Sequence, residues 1–191
     1  MSSVQPSADE APFRGVKGAL AFAYNFSHGT LKKPFLASLV GGSRSGRGLS
    51  GLDGAGQAGL IKAEVAQLPK VRIYLIEGRF SPRTTPCPCN RPCCAGYVIN
   101  REWAEAVEWL TEHILRAALA GTVSHFRLRR ALIVRYLGEE ISMSRVAADC
   151  HVKRDTAAEH NKRVVSYLGE EERLAEIELK GRLEAAGVIE T

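Results

Sequence analysis

Apolar residues recur at helical spacing along most of the chain, and this periodicity predicts a mainly α-helical protein. The segment 71–80 also alternates as a strand would, but its helical surroundings favour a helix. Helices are predicted over 13–26, 60–68, 71–80, 103–120 and 128–137, in two short stretches within 142–168, and over 170–186.

Three segments follow from this pattern. Residues 1–51 form a basic, Gly-rich and partly disordered segment with one helix, and residues 52–121 form a helical region with a Cys-rich loop at 82–96. Residues 126–191 form a C-terminal segment that ends in an acidic helix, which suits packing or a homodimer contact. The stretch 41–59 holds eight glycines, a density that packed elements tolerate poorly. Its part 41–51, with Arg44 and Arg47, is predicted to be a loop along a nucleic-acid backbone or a plain linker.

Charge is unevenly distributed. Residues 122–168 carry nine basic and five acidic side chains, whereas the residues after Gly169 carry seven acidic and three basic ones. A basic block suits phosphate neutralisation, although solvated surface charge is the simpler alternative. The block includes four arginines just before 142–168, namely Arg127, Arg129, Arg130 and Arg135.

No apolar run approaches the ~18 residues of a membrane span and no secretory signal begins the chain, so a cytoplasmic protein without membrane contact is expected.

The segment 142–168 has the pattern of a helix-turn-helix. Ser142 can cap a short helix that buries Val146, Ala147 and Cys150. A polar turn follows, and the second helix directs Ala157, Val164, Val165 and Leu168 toward its partner. The opposite, solvent-facing side of the second helix carries Arg154, Asp155, Ala158, Glu159 and Lys162. A helix-turn-helix places its second helix in the major groove of duplex DNA. An amphipathic hairpin that binds nothing is the alternative.

The order Val146-Ala147, Val152, Lys153-Arg154, Thr156-Ala157 resembles the helix-turn-helix of sigma-factor promoter-reading domains, over roughly residues 128–168. Two positions differ from that pattern. His151 stands where a turn glycine is usual, so a left-handed backbone there would cost more than with glycine. Asn161 stands where an apolar core residue is expected. His151 and His160 are expected to be polar surface groups or to face DNA.

Four thiols cluster in the Cys-rich loop, at Cys87, Cys89, Cys93 and Cys94. In a reducing compartment such a cluster binds metal more often than it forms disulfides, and zinc takes a tetrahedral set of Cys or His ligands. A structural zinc site is therefore predicted. Because the thiols are so close in sequence, three of them with a distant His113, His125 or His28 are favoured over all four on one ion. A disulfide or redox-sensing pair is the third possibility.

Signatures of catalysis are absent from the sequence, which shows no phosphate loop, nucleophile elbow or His-Glu-x-x-His motif, so the chain is not expected to be an enzyme.

The layout as a whole, with Leu52-Asp53-Gly54, the Cys-rich loop and the C-terminal motif, is similar to phage Q-type late-gene antiterminators. That resemblance implies a transcription regulator that binds DNA at a late promoter of a phage or prophage and acts with RNA polymerase. It also implies that Arg154, Asp155, Ala158, Glu159 and Lys162 read base edges while Arg130, Lys153 and Arg163 contact phosphates. The alternatives are a helix-turn-helix assembly protein, such as a phage small terminase subunit, and an accessory subunit of a DNA recombinase.

Overall fold

The computed structural model describes residues 11–26, 52–89, 91 and 95–190, with nothing defined for the side chains of Leu52 and Asp53. The predicted Gly-rich loop with Arg44 and Arg47, together with His28, Cys93 and Cys94, lies outside these residues. Within them the protein is mainly α-helical, as the periodicity predicts, with a single small antiparallel sheet. The helices are α1 (Val16–Phe26), α2 (Leu52–Val65), α3 (Lys70–Phe80), α4 (Arg101–Ala117), α5 (Phe126–Tyr136), α6 (Met143–Asp149) and α7 (Arg154–Ala185), and the strands are β1 (Thr84–Pro86) and β2 (Tyr97–Ile99). No helix in the described ranges is long and apolar enough to cross a bilayer.

The described residues fall into two compact units. The terminal unit contains α1, α2 and the last part of α7, from Glu176 onward. Its core includes the ring of Phe22, which packs against the rings of Phe13 and Phe26 at centroid distances of 5.1 and 5.3 Å. Backbone hydrogen bonds join Phe13 to the segment after α7, from its N–H to the Val188 carbonyl and to its carbonyl from the Glu190 N–H. Phe13 is therefore fastened to residues 188–190 in this unit.

The central unit, residues 66–175, holds α3, the sheet, α4, α5, α6 and the first part of α7. Asn100 caps the start of helix α4, because its side chain accepts a hydrogen bond from the Glu102 N–H at 3.1 Å. The apolar stripe of α4 is buried against α3 and α5. The largest fully buried members of this core are Leu75, Leu110, Ile114, Leu119, Leu128, Leu132, Ile133 and Leu168.

Helix α7 is one continuous helix, so the predicted separation into two helices near Gly169 is wrong. A single glycine costs about 1 kcal/mol in a helix interior, which continuous packing on both sides can offset. That packing follows a buried stripe of helical period along α7, comprising Ala157, Val164, Leu168, Ala175, Leu179 and Leu183. Ile177 lies off this stripe and is 58% exposed. Val165, predicted to face its partner helix, is also exposed.

A two-stranded antiparallel ribbon, β1 paired with β2, carries the Cys-rich loop, and the sequence pattern did not reveal it. Strands of three residues are too short to show a period of two. Asn100 fixes the base of the ribbon, since its side-chain amide donates to the Pro82 carbonyl at 2.8 Å and its N–H donates to the Arg83 carbonyl at 2.9 Å. Tyr97 and Ile99, on one face of β2, are each 66% exposed.

Candidate nucleic-acid interface

Helix α6 is short and closed at both ends by defined hydrogen bonds. Ser142 caps its start, as predicted, because its hydroxyl oxygen accepts from the Arg145 N–H at 3.2 Å. At its end the Val152 N–H donates to the Ala147 carbonyl at 3.0 Å and the His151 N–H donates to the Ala148 carbonyl at 3.2 Å. This pair of bonds is a Schellman motif, which stops a helix and turns the chain sharply. Helix α7 starts three residues after His151, at Arg154.

His151 occupies the left-handed position of this motif, with φ of 54°, and among the described residues it is the one non-glycine residue with a positive φ. The left-handed conformation costs an L-residue about 1–2 kcal/mol because its Cβ crowds the neighbouring carbonyl. The turn that the sequence pattern expects is therefore made without the usual glycine. The motif's other bonds and the burial of its flanking residues hold His151 in this conformation.

Replacing His151 with glycine is expected to raise the free energy of unfolding by about 0.5–1 kcal/mol, since the relief of backbone strain exceeds the extra entropy of the unfolded chain. His151→Ala, which keeps the Cβ, serves as the control and should not stabilise the protein. Urea denaturation followed by circular dichroism measures both. Equal effects of the two substitutions would show that the strain at residue 151 is not the cause.

The faces of α6 and α7 that meet are small and apolar. Val146, Ala147 and Cys150 are buried on the α6 side, and Ala157 and Val164 on the α7 side. Burial raises the pKa of the Cys150 thiol, which keeps it un-ionised. The predicted packing of these two helices agrees with this burial pattern, apart from Val165.

His125 joins α5 to the turn after α6. Its Nδ1 accepts from the Leu128 N–H at 3.2 Å, which caps α5, and its Nε2 donates to the Cys150 carbonyl at 3.1 Å. A backbone N–H can only donate and a carbonyl can only accept, so the ring is held as the neutral tautomer protonated at Nε2. Both nitrogens are engaged, so His125 is not a metal ligand in this arrangement, contrary to one of the predicted possibilities.

The exposed face of α7 is the candidate interface. The predicted base-reading positions are all exposed, and so are the predicted phosphate contacts; together they are Arg130, Lys153, Arg154, Asp155, Ala158, Glu159, Lys162 and Arg163. Within the described part of the chain, the cations of Lys153, Arg154 and Lys162 form no ion pair, whereas Arg163 pairs with Glu159 at 3.1 Å. The start of α7 therefore presents unpaired positive charge to solvent.

Two residues expected at this surface are instead buried. His160 is only 6% exposed, because it lies on the same stripe of α7 as Ala157 and Val164, and its Nδ1–H donates to the Thr156 carbonyl at 2.8 Å. The prediction that it is a surface or DNA-facing group is wrong. Asn161, at a position where an apolar residue was expected, is half-buried.

The second buried residue is Arg129, which is 5% exposed and so does not belong to the basic surface. Its Nε–H donates to the Thr111 carbonyl of α4 at 3.0 Å, and its Nη1 donates to the Ser124 carbonyl at 2.6 Å. Arg135 is half-buried and donates to the Ile141 carbonyl. The basic surface upstream of α6 is thus reduced to Arg127 and Arg130, which are exposed.

The first part of α7 is fastened to α3 and α5 by its own acidic residues. Glu171 pairs with Arg72 at 2.9 Å, and Glu172 pairs with Arg79 at 3.2 Å. The Tyr136 hydroxyl also donates to Glu172, at 2.6 Å, and burial together with this bond raises the pKa of Tyr136. These acids therefore position α7 within the central unit. Their partners lie more than 30 residues away in sequence, so no local pattern could have revealed them.

His113 lies in a column of stacked rings, and among the described residues it belongs to no group of three or more potential metal ligands. It stacks on Trp109 at a centroid distance of 4.6 Å, and Trp109 stacks in turn on Tyr74. Its Nε2 lies 2.8 Å from the Tyr167 hydroxyl. Burial lowers the pKa of His113, against a smaller opposing effect of Glu171, so the neutral ring is favoured.

The two thiols that the structure describes in the Cys-rich loop lie together at the end of the ribbon. The sulfurs of Cys87 and Cys89 are 3.1 Å apart, and the Cys87 N–H donates to the Gly96 carbonyl at 2.8 Å, which closes the ribbon there. No acidic residue occurs between Arg79 and Arg101. Among the described residues no group of three or more His, Cys, Asp or Glu side chains converges as a metal site would, and Cys93 and Cys94 are not among them.

Comparisons with protein-family models, with curated proteins and with solved structures find no match to this chain.

Proposed function

We propose that the protein is a sequence-specific, double-stranded-DNA-binding transcription regulator, and that α6, the turn at 150–153 and α7 form its helix-turn-helix. The observation that carries the proposal is the division of α7 into two faces. Ala157, His160 and Val164 are buried toward the core, while the first three turns expose Arg154, Asp155, Ala158, Glu159 and Lys162 immediately after a sharp turn. A helix presented in this way fits the major groove.

The charges of this face suit a duplex. Arg154 and Lys162 can donate to guanine O6 and N7, and the small side chain of Ala158 allows close approach to the bases. Lys153 and Arg163 adjoin the residues of this face along the chain, and Arg130 is exposed on α5. All three can contact phosphates, which fixes register without reading sequence. Each such cation displaces condensed counterions, so binding should weaken steeply with salt.

We propose further that this regulator acts in the cytoplasm as an antiterminator of a phage or prophage, together with RNA polymerase. Mapping the DNA bound by the protein across the genome of the bacterial cell tests this role. Occupancy at late promoters, extending into the transcribed region as polymerase moves, supports it. Occupancy confined to a packaging site, with a large ring by light scattering, would instead favour an assembly protein. If neither of these occupancy patterns is found, the antitermination role is contradicted.

We also propose that the Cys-rich loop binds one structural zinc ion. Cys87 and Cys89 fit the role, because their sulfurs lie together at the end of a ribbon whose base Asn100 fixes. Thiolates are soft ligands that zinc prefers, and Cys93 and Cys94 are the proposed remaining donors. Bound metal would supply a cross-link that closes residues 82–96, with no catalytic role.

Replacing Cys87 and Cys93 with serine is expected to release zinc and lower the melting temperature, since zinc binding contributes to the stability of the folded loop. Elemental analysis of protein purified under reducing conditions should find about one zinc per chain in the wild type. Cys150→Ser is the control, because Cys150 is buried between α6 and α7 and its loss should leave the zinc content unchanged. Wild-type protein without zinc would contradict the proposal.

A further inference from the structure

The exposed face of α7 contains two carboxylates, which is unexpected for a surface that approaches phosphates. Asp155 and Glu159 are one helical turn apart and both are exposed. Each lies next to a cation that is also exposed, Asp155 beside Arg154 and Glu159 one turn before Arg163. The Glu159–Arg163 pair is solvated, with side-chain exposures of 56% and 46%.

These two carboxylates contribute little to the stability of the fold. An exposed ion pair one turn apart on a helix contributes about 0.3–0.5 kcal/mol, and salt weakens it further. Among the described residues, the side chain of Glu159 forms no hydrogen bond or ion pair except the one with Arg163. Its removal should therefore leave the fold intact, which makes it open to a test by substitution.

In the major groove a carboxylate can only accept hydrogen bonds, and only two base groups can donate to it there. These are the N4 amino group of cytosine and the N6 amino group of adenine. On adenine the amino group lies beside the N7 acceptor, whose lone pair repels a carboxylate. Cytosine has no major-groove acceptor of its own, so it is the base that a carboxylate favours.

On these grounds we infer that Glu159 is a specificity-determining residue that reads a cytosine, with Asp155 able to read a second one within the same binding site. The inference rests on the proposed DNA-binding function and names the bases it selects. Arg163 is a positioning residue here: its Nε donates to Glu159 Oε1 at 3.1 Å, which orients the carboxylate and offsets its repulsion by the phosphates. The other carboxylate oxygen is left to accept from the base.

Selection from a library of random duplexes, followed by affinity measurements on single-base variants, tests the inference with wild type and Glu159→Gln. The wild type should select a motif with a fixed cytosine, and changing that base should weaken binding by about 5- to 150-fold, the range for one good base contact. Glu159→Gln should lose this preference and move toward adenine at the same position, because a glutamine amide can bond both N6 and N7. The other positions of the motif should not change.

Glu170→Gln is the matched control, because Glu170 is also an exposed acid on α7 that pairs with an arginine, Arg173, at 2.7 Å. It should select the wild-type motif. A wild-type motif without a fixed cytosine, or a Glu159→Gln variant that keeps it, would overturn the inference while leaving DNA binding in place. Failure of the wild type to enrich any duplex would overturn both the inference and the proposed function.

Discussion

Replacing both Arg154 and Lys162 with alanine is expected to abolish sequence-specific DNA binding while the fold stays intact. Both side chains are exposed on the first three turns of α7, and neither forms an ion pair among the described residues, so the core loses nothing. A good contact to a base edge is worth about 1–3 kcal/mol, so the loss of two should weaken binding by about 30-fold or more. Gel-shift titration at one fixed salt concentration measures the change.

The double variant Arg173→Ala/Lys180→Ala is the control. It removes the same amount of charge from the same helix, at exposed positions beyond the proposed contact. Its affinity should fall only slightly, since its side chains would act on DNA through long-range attraction alone. Similar losses in the two double variants would show that net charge, and not the first turns of α7, controls binding.

Arg129→Met is expected to lower the free energy of unfolding by about 3 kcal/mol. Arg129 is buried and donates to the carbonyls of Thr111 and Ser124, which would both lose a partner inside the protein. A buried polar group without a partner costs about 1–3 kcal/mol, and methionine keeps most of the apolar contact of the arginine stem. Urea denaturation gives the value.

The neighbouring Arg130 offers a matched comparison, because it is exposed and unpaired among the described residues. Arg130→Met should change stability by less than about 0.5 kcal/mol, as surface substitutions usually do. It should instead weaken DNA binding and reduce the dependence of affinity on salt, as expected for the loss of a phosphate contact. If Arg129→Met is as harmless to stability as Arg130→Met, the structural role of Arg129 is wrong.

Local periodicity accounts for much of the helical structure. The stripe of α4 and its Asn100 cap, the Ser142 cap of α6 and the exposed positions at the start of α7 follow from residues close together in sequence. The segment 71–80, ambiguous by alternation, is helical and forms most of α3. These features depend on spacing and capping, which can be read from a single sequence.

Features that depend on distant partners could not be predicted in this way. Arg129 looks like its surface neighbours, and its burial depends on the Thr111 carbonyl, which lies 18 residues earlier. The pairing of Glu171 and Glu172 with arginines of α3 likewise joins residues that are far apart in sequence. His160, by contrast, lies three residues after Ala157 and four before Val164, so helical spacing alone places it on the buried stripe of α7.

The most direct test of the central claim is to map the DNA contact on the protein itself. Amide NMR shifts of the full chain are recorded while the duplex recovered by selection is added. The proposed helix-turn-helix predicts the largest changes at the turn 150–153, over residues 154–163 of α7, and near Arg127 and Arg130. Changes confined to the ribbon at 84–99 or to the terminal unit, with residues 154–163 unaffected, would contradict it.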